Sequence, residues 1–381
     1  MRFILSLMLM FSASTMAQTT SSLPEAVRGV WLTNVASEAL HSQTNIQQAV
    51  DLCADIGINT IFVVTWNKAQ TLYPSAIMKQ LTGVAMDPLM DPKNVGRDPL
   101  QELIDAAHAR NIKVFAWFEF GFAASYDEQG GVLIDKKPHW QAMDQHGRLA
   151  SKNRFEWLNA FDPDVQDFMT SLVLEVVNNY DIDGVQGDDR LPALPSNAGY
   201  NPDVVAEYRQ QHNGAEPPRD HKDPDWVQWR ADKLSQYAQT LYQAVKNADP
   251  EVIVSWSPSV YPWSKKEYLQ DWPQWVRQGS VDLLIPQVYR YDIDNYRQTL
   301  KDNIQAMPDS AQARFFPGML IQVDDYNPDD EFFIRMLQAN REAGLLGEVF
   351  FFYEGLRHYA QPLKQHYQAN PVRFPSWIDK E

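Results

Sequence analysis

Two aspartates, Asp188 and Asp189, stand side by side at the end of the run Asp183-Gly184-Val185-Gln186-Gly187, with Arg190 directly after them. Paired carboxylates can divide acid–base work when their surroundings keep one protonated and the other ionised. Neighbouring residues of an extended chain point to opposite sides, so only one of the two can face a common axis without local distortion. The other then orients it or holds a loop. The competing structural use is a turn cap or an ion pair with Arg190. Two more carboxylates end apolar runs: Glu119 after Ala116-Trp117-Phe118, where burial would raise its pKa, and Glu354 after Phe351-Phe352-Tyr353. Such a set suits hydrolysis of a glycosidic bond, which needs a proton donor for the leaving oxygen and a carboxylate to attack or to activate water.

Other hydrolytic chemistries lack their residues. The 8 histidines are scattered, with no His-x-His pair or cysteine cluster to hold zinc, which speaks against a metal-dependent deacetylase. There is no Gly-x-Ser-x-Gly elbow. No motif calls for a cofactor or a metal.

The elements that must position these groups are legible as short, near-continuous apolar runs between amphipathic segments. The runs are Gly29 to Thr33, Thr60 to Thr65, Lys113 to Phe118, Gly184 to Gly187, Val252 to Trp256, Leu283 to Gln287, Phe315 to Met319 and Glu348 to Phe352. Such runs predict strands buried on both faces, as in a parallel sheet. Helices are expected over Asp98 to Arg110, Asp162 to Asn179, Asp223 to Asn247 and Asp329 to Ala343; the first three open on Asp-Pro, and Gly344 stops the last. Eight strands with intervening helices is the count of a single (β/α)8 barrel. The rival, a doubly wound sheet, would want a glycine-rich phosphate loop after its first strand, and none is present. Long loops are expected after strands three and four, Phe120 to Phe161 and Arg190 to Asp223, as walls over the barrel mouth.

In a barrel, function is sought where the strands end. In chain order these ends bring Asn34; Trp66, Asn67 and Lys68; Glu119; Asp188, Asp189 and Arg190; Ser255, Trp256 and Ser257; Gln287, Tyr289 and Arg290; Gln322, Asp324 and Asp325; and Tyr353 with Glu354. Trp66, Trp117, Trp256, Tyr289 and Tyr353 are candidate stacking platforms for sugar rings, with barrel packing as the alternative for each. Asn67 and Gln287 could hydrogen-bond ring hydroxyls, where an unpaired polar group would cost about 1–3 kcal/mol.

Composition narrows the field. A net charge of −16 excludes a nucleic-acid binder, which needs a basic surface to release counterions. Arg2, the apolar stretch Phe3 to Phe11 and Thr15-Met16-Ala17 read as a cleaved export signal over residues 1–17, leaving residues 18–381 as one barrel domain in the periplasm. No segment is long enough to be an integral membrane span. Cys53 is the only cysteine, expected as a buried structural thiol. The tail from Gln361 onward is expected to pack against the outside of the barrel.

Taken in order, Arg28-Gly29-Val30-Trp31-Leu32-Thr33, Trp66-Asn67 with Thr71-Leu72-Tyr73-Pro74-Ser75, Ala116-Trp117-Phe118-Glu119-Phe120-Gly121, Asp183 to Asp189 and Pro286-Gln287-Val288-Tyr289 resemble the glycosyl hydrolase-like barrel family numbered ten, a group of YngK-like exported proteins. The resemblance covers residues 27–356 and implies a (β/α)8 barrel acting on a glycan. The family includes enzymes that cleave peptidoglycan strands lacking stem peptides. The fourth-strand pattern is also similar to the Asp-Gly-x-Arg-x-Asp signature of the alpha-amylase clan, which would give Asp188 the nucleophile's place. Here Gln186 replaces the arginine, and Ser255-Trp256-Ser257-Pro258 offers no carboxylate where the clan has its acid/base glutamate. The donor is therefore expected to be Glu119, or secondly Glu354. An alternative is attack by a substrate acetamido oxygen, positioned by one aspartate and steadied by Tyr289 while the adjacent acid donates the proton. These readings predict an exported glycosidase of a cell-envelope glycan; the rival is a non-catalytic glycan binder on the same barrel.

Overall fold

The computed structural model describes residues 23–376, so the expected signal segment, 1–17, lies outside the described residues. Eight parallel strands form one sheet: β1 (Arg28–Leu32), β2 (Thr60–Val64), β3 (Lys113–Phe118), β4 (Gly184–Gly187), β5 (Ile253–Trp256), β6 (Leu283–Leu284), β7 (Gly318–Leu320) and β8 (Glu348–Phe351). Their order is β6-β5-β4-β3-β2-β1-β8-β7. The two ends of this sheet meet: the Phe316 N–H donates to the Leu284 carbonyl and the Gly318 N–H to the Pro286 carbonyl, both at 2.9 Å. The sheet is thus a closed (β/α)8 barrel. β6 and β7 are shorter than their apolar runs because Pro286 and Pro317 have no N–H to give the ladder.

A principal helix follows each strand: α1 (Gln43–Ile56), α2 (Pro99–His108), α3 (Pro163–Asn179), α4 (Pro224–Ala248), α5 (Trp272–Arg277), α6 (Ile293–Gln305), α7 (Asp330–Glu342) and α8 (Tyr353–Ala369). The Asp-Pro starts of α2, α3 and α4 act as read from the sequence. Asp98, Asp162 and Asp223 each accept a hydrogen bond from a first-turn N–H, and proline takes the next position. Cys53 is fully buried on α1, and burial pushes its thiol up to about 12, so it is inert packing.

The interior is filled in layers. Phe62 and Phe115 meet at a tilt with ring centres 4.9 Å apart in the lower one, and Trp31 meets Trp117 and Phe351 above them. Gly184 of β4 sits opposite the Phe115 ring, whose edge occupies the space where a side chain would start. Beneath, the C-terminal segment differs from expectation. Its helical part, in α8, does pack outside against α1, but residues 371–376 turn under the barrel. The Ala26 N–H donates to the Arg373 carbonyl and the Arg373 N–H to the Pro24 carbonyl, each at 2.9 Å, while Phe374 packs on Phe115. The chain's two described ends therefore seal the floor together.

The two long intervals carry structure of their own. Residues 120–161 hold a three-stranded antiparallel sheet (Ala123–Tyr126, Phe155–Trp157, Ser151–Lys152). Residues 190–223 hold a helix, Pro202–Gln211, and are tied to α4 by buried Arg230, which donates to the carbonyls of Ser196, Ala198 and His221. Both lie on the strand-end face.

The packing at Gly184 gives a direct test. A Cβ there would lie 2.3 Å from Phe115 and 2.7 Å from the Ile253 carbonyl. Gly184→Ala should lower stability by about 1–3 kcal/mol, read as an earlier urea midpoint. An unchanged midpoint would contradict this interior.

Candidate active site

The site is built on the end of β4. Gln186 is fully buried; its carbonyl oxygen accepts from the Trp31 indole at 2.6 Å and its amide donates to the Ser255 hydroxyl at 2.9 Å. This polar rung spans the barrel just below Asp188. Gly187 follows, where the Leu191 carbonyl and the Trp256 ring leave no room for a side chain. Asp188 then points inward, 1% exposed. Its Oδ2 accepts from the Trp117 indole and from Arg190 Nη2, each at 3.2 Å, and its Oδ1 from the Arg190 backbone N–H at 2.9 Å.

Arg190 is the hub. Its Nη1 lies 3.2 Å from Asp189 Oδ1, its Nη2 3.8 Å from Glu119 Oε1, and its Nε donates to the Glu119 carbonyl at 2.8 Å. The guanidinium lies over Phe155, with its carbon 5.0 Å from the ring centre. Glu119 is fixed from its other side by the Thr33 hydroxyl at 3.0 Å and the Asn67 amide at 2.7 Å, and Asn67 also donates to Asn34 at 3.1 Å. Three carboxylates thus share one buried cation.

One positive charge cannot balance three negative ones away from water. Burial, with the charges of Asp189 and Glu119 behind it, pushes the Asp188 carboxyl well above the usual carboxylate range, against the pull of Arg190. Burial also raises Glu119, again opposed by Arg190. Burial on its own would weaken the Arg190 cation, but Asp188, Asp189 and Glu119 hold it firmly protonated. The cluster therefore keeps a proton to higher pH than free carboxylates would. Asp189, with its side chain 22% exposed, is the member most open to the mouth. Burial, Asp189 and Asp188 together push the Tyr289 phenol well up, so it stays a neutral hydrogen-bond donor.

The structure gathers some of the sequence candidates and separates others. Asp188, Asp189, Glu119, Arg190, Asn67 and Trp117 form one network, and Tyr289 faces the same charges. Gln287 is half-buried and donates to the Ser257 carbonyl at 3.1 Å. Gln186 lies beneath the network and is wholly enclosed, so it holds Trp31 and Ser255 in place and does not meet a ligand. Trp66 is 0% exposed: β2 ends at Val64, and the hairpin that follows turns the ring onto Phe168 of α3, its indole donating to the Gly121 carbonyl. Trp256 points outward from β5 onto Trp275 of α5. Tyr353 is buried at the start of α8. Neither these three nor Trp117, 2% exposed, presents a ring face to a sugar.

Glu354 lines a different, polar cavity of about 670 Å³ between the loop after β1 and α8, where it accepts from the Ser37 hydroxyl at 2.7 Å. Asn34 lines that cavity as well, so it adjoins the Asn67–Glu119 arm of the cluster. It does not bring Glu354 to Asp188.

Several members of the site had no local signal in the sequence. Phe155 arrives from the sheet in the long third loop, and Gln270, from the loop after β5, donates to the Asp188 carbonyl at 2.8 Å. Tyr268, which takes the Asn153 amide at 3.0 Å, stands in the field of Asp189 and Arg190. These residues reach the site by folding over long separations.

The hub can be tested by removal. Arg190→Met leaves the three carboxylates uncompensated, which should cost about 3–5 kcal/mol at neutral pH. Carboxyls whose folded pKa is raised bind protons on folding, so their penalty is absent below the unfolded-state pKa, grows as pH rises above it and levels off only above the folded pKa. The deficit of the variant should therefore shrink between pH 7 and pH 5 in urea titrations. A deficit independent of pH would show that the guanidinium is not the counter-charge.

The barrel and this cluster can be set beside known proteins. Glycosyl hydrolase DigH of Escherichia coli O6:H1 (strain CFT073) is 27% identical over 324 residues, 72% of this chain and 70% of that protein. Glycosyl hydrolase YngK of Bacillus subtilis (strain 168) is 26% identical over 322 residues, 76% of this chain and 59% of that protein. Among solved structures, the PgaB (BpsB) glycoside hydrolase domain from Bordetella bronchiseptica superposes with a TM-score of 0.64 at 15% identity, over 89% of this chain and 98% of that one. The catalytic domain of β-amylase from Paenibacillus polymyxa gives 0.62 at 10% identity, over 91% and 99%. These structures share the fold. Residues 26–314 match the family model described as Glycosyl hydrolase-like 10, and the chain belongs to that family.

Proposed function

We propose that this glycoside hydrolase is exported and cuts within the strands of a cell-envelope glycan, namely peptidoglycan from which the stem peptides have been removed. The observation that carries the reading is the largely buried cluster of Asp188, Asp189 and Glu119 on Arg190 at the barrel mouth. It supplies both things glycosidic cleavage needs: a carboxyl that retains its proton and a neighbouring carboxylate to stabilise developing positive charge or position a nucleophile. Asp188, held by three N–H donors, sets the geometry, while the more open Asp189 meets the substrate. Tyr289 offers its phenol to a ring substituent such as an acetamido group. Export is supported by the signal-like residues 1–17, a glycan substrate by relatives named as glycosyl hydrolases, and peptidoglycan by the family resemblance alone.

The test is release of reducing ends from purified, peptide-free peptidoglycan strands. Asp188→Asn, nearly isosteric, should cut release about 10²–10⁴-fold. In the wild type the proton donor must be protonated, so activity should fall on the alkaline side, as pH passes the raised carboxyl pKa. Release unchanged in Asp188→Asn would remove that residue from the centre. Binding without release by the wild type would favour the glycan-binding alternative.

A further inference from the structure

The polar cavity between the loop after β1 and the start of α8, of about 670 Å³, is lined by donors and acceptors that the protein itself leaves unused. Asn34 gives its side-chain oxygen to Asn67, and its amide nitrogen has no partner among the described residues. Glu354 takes the Ser37 hydroxyl on one oxygen and keeps the other free. Glu38 and Gln48 are exposed on the same wall, their side chains without a partner among the described residues. Arg357 donates to the Tyr353 hydroxyl at 3.4 Å and joins no ion pair among the described residues. The frame around these groups is fixed, because the Ser37–Glu354 bond of 2.7 Å ties the loop after β1 to the first turn of α8.

The cavity adjoins the acid cluster through directly bonded groups. Thr33, which holds Glu119 at 3.0 Å, precedes Asn34 in the chain. Asn34 is also joined to Glu119 through Asn67, by hydrogen bonds of 3.1 and 2.7 Å. The wall thus begins two hydrogen bonds from a carboxyl of the cluster, within the length of one sugar ring. The chemistry of the wall narrows the occupant. No group of three His, Cys, Asp or Glu side chains suited to a metal ion occurs among the described residues. The carboxylates of Glu38 and Glu354 outnumber the Arg357 cation, which disfavours an acid. Unspent amides and carboxylates suit ring hydroxyls, which donate and accept at once. Glu354 also opposes the dipole of α8 from its first turn, but that use makes no demand on Glu38, Asn34 or Gln48.

We propose that this cavity is a subsite for an uncharged 2-acetamido sugar unit of the strand, held by hydrogen bonds, and that it turns away a unit bearing an acid. The acetamido identity rests on the substrate reading given above; the rejection of an acid rests on the wall alone. The subsite does by hydrogen bonding what the buried rings of Trp66, Trp256 and Tyr353 cannot do by stacking. On a strand whose sugars alternate between acid-free and acid-bearing units, such rejection fixes the register in which the strand lies across the mouth.

The experiment measures binding to protein carrying Asp188→Asn, so that cleavage does not consume the probe. The probes are the hexamer of N-acetylglucosamine and the same hexamer with its primary hydroxyls oxidised to carboxylates. Titrations are run at pH 8, where an ordinary imidazole is uncharged, because His41 shares the wall. The oxidised hexamer should bind about fivefold more weakly. Glu354→Gln, which keeps an acceptor for Ser37, and Glu38→Gln, at an exposed position, should each narrow that gap with an unchanged urea midpoint. Equal affinity for the two hexamers, a gap that neither variant narrows, or no binding of the uncharged hexamer would overturn the subsite. The strand-cleavage assay is read separately. Reducing ends released without hexamer binding would keep the substrate reading and sink the subsite; a hexamer that binds by these rules, with no release from strands, would keep the subsite and sink that substrate.

Discussion

The arrangement at the barrel mouth depends on one buried guanidinium. Without Arg190, the enclosed carboxyls of Asp188 and Glu119 would take up protons and lose their charge. With it, the cluster is under-compensated by design of its own geometry: enough positive charge to keep some carboxylate, too little to ionise all of it. The same side chain fixes position. Its Nε holds the end of β3 through the Glu119 carbonyl, and its backbone N–H holds the carboxyl of Asp188 beyond β4. Arg190 thus couples two neighbouring strand ends and sets the local charge in one move.

That coupling works only because the barrel beneath it is stiff. The Trp31–Gln186–Ser255 rung ties β1, β4 and β5 across the interior directly under Asp188. Asn67 and Thr33, at the ends of β2 and β1, hold Glu119 from the other side. Asp188 and Glu119 are therefore each oriented from more than one strand end, and side chains held this way lose little further freedom when a ligand arrives.

Much of this was legible in the sequence, for a physical reason. Strands covered on both faces must be apolar nearly throughout, so β1 to β5 and β8 stood out as runs with ends within a residue or so of those observed. The proline-containing runs were less clear, since Pro286 and Pro317 remove ladder donors and move the boundaries of β6 and β7. The aromatic platforms were harder still. Trp256 sits one residue from the inward-facing Ser255, and in an extended chain that step turns it to the helices. Inward and outward positions are fixed only by cross-strand register, as when Gln186 pairs with Trp117 on one side and Ser255 on the other. Register is a property of the assembled sheet, which one strand's sequence does not carry. The contributions of Phe155, Gln270 and Tyr268 were invisible for the same reason: they are set by where the loops land.

The pairing of the two described chain ends beneath the floor has a consequence for how the molecule can be displayed. Pro24 and Arg373 lie together at the pole opposite the carboxylates. A tether joined to either described end would leave from that pole and hold the barrel with its mouth turned away from the attachment point. Immobilisation through either terminus should then give the same presentation, and a short linker closing the two ends would redraw the chain's start and finish without crossing the mouth.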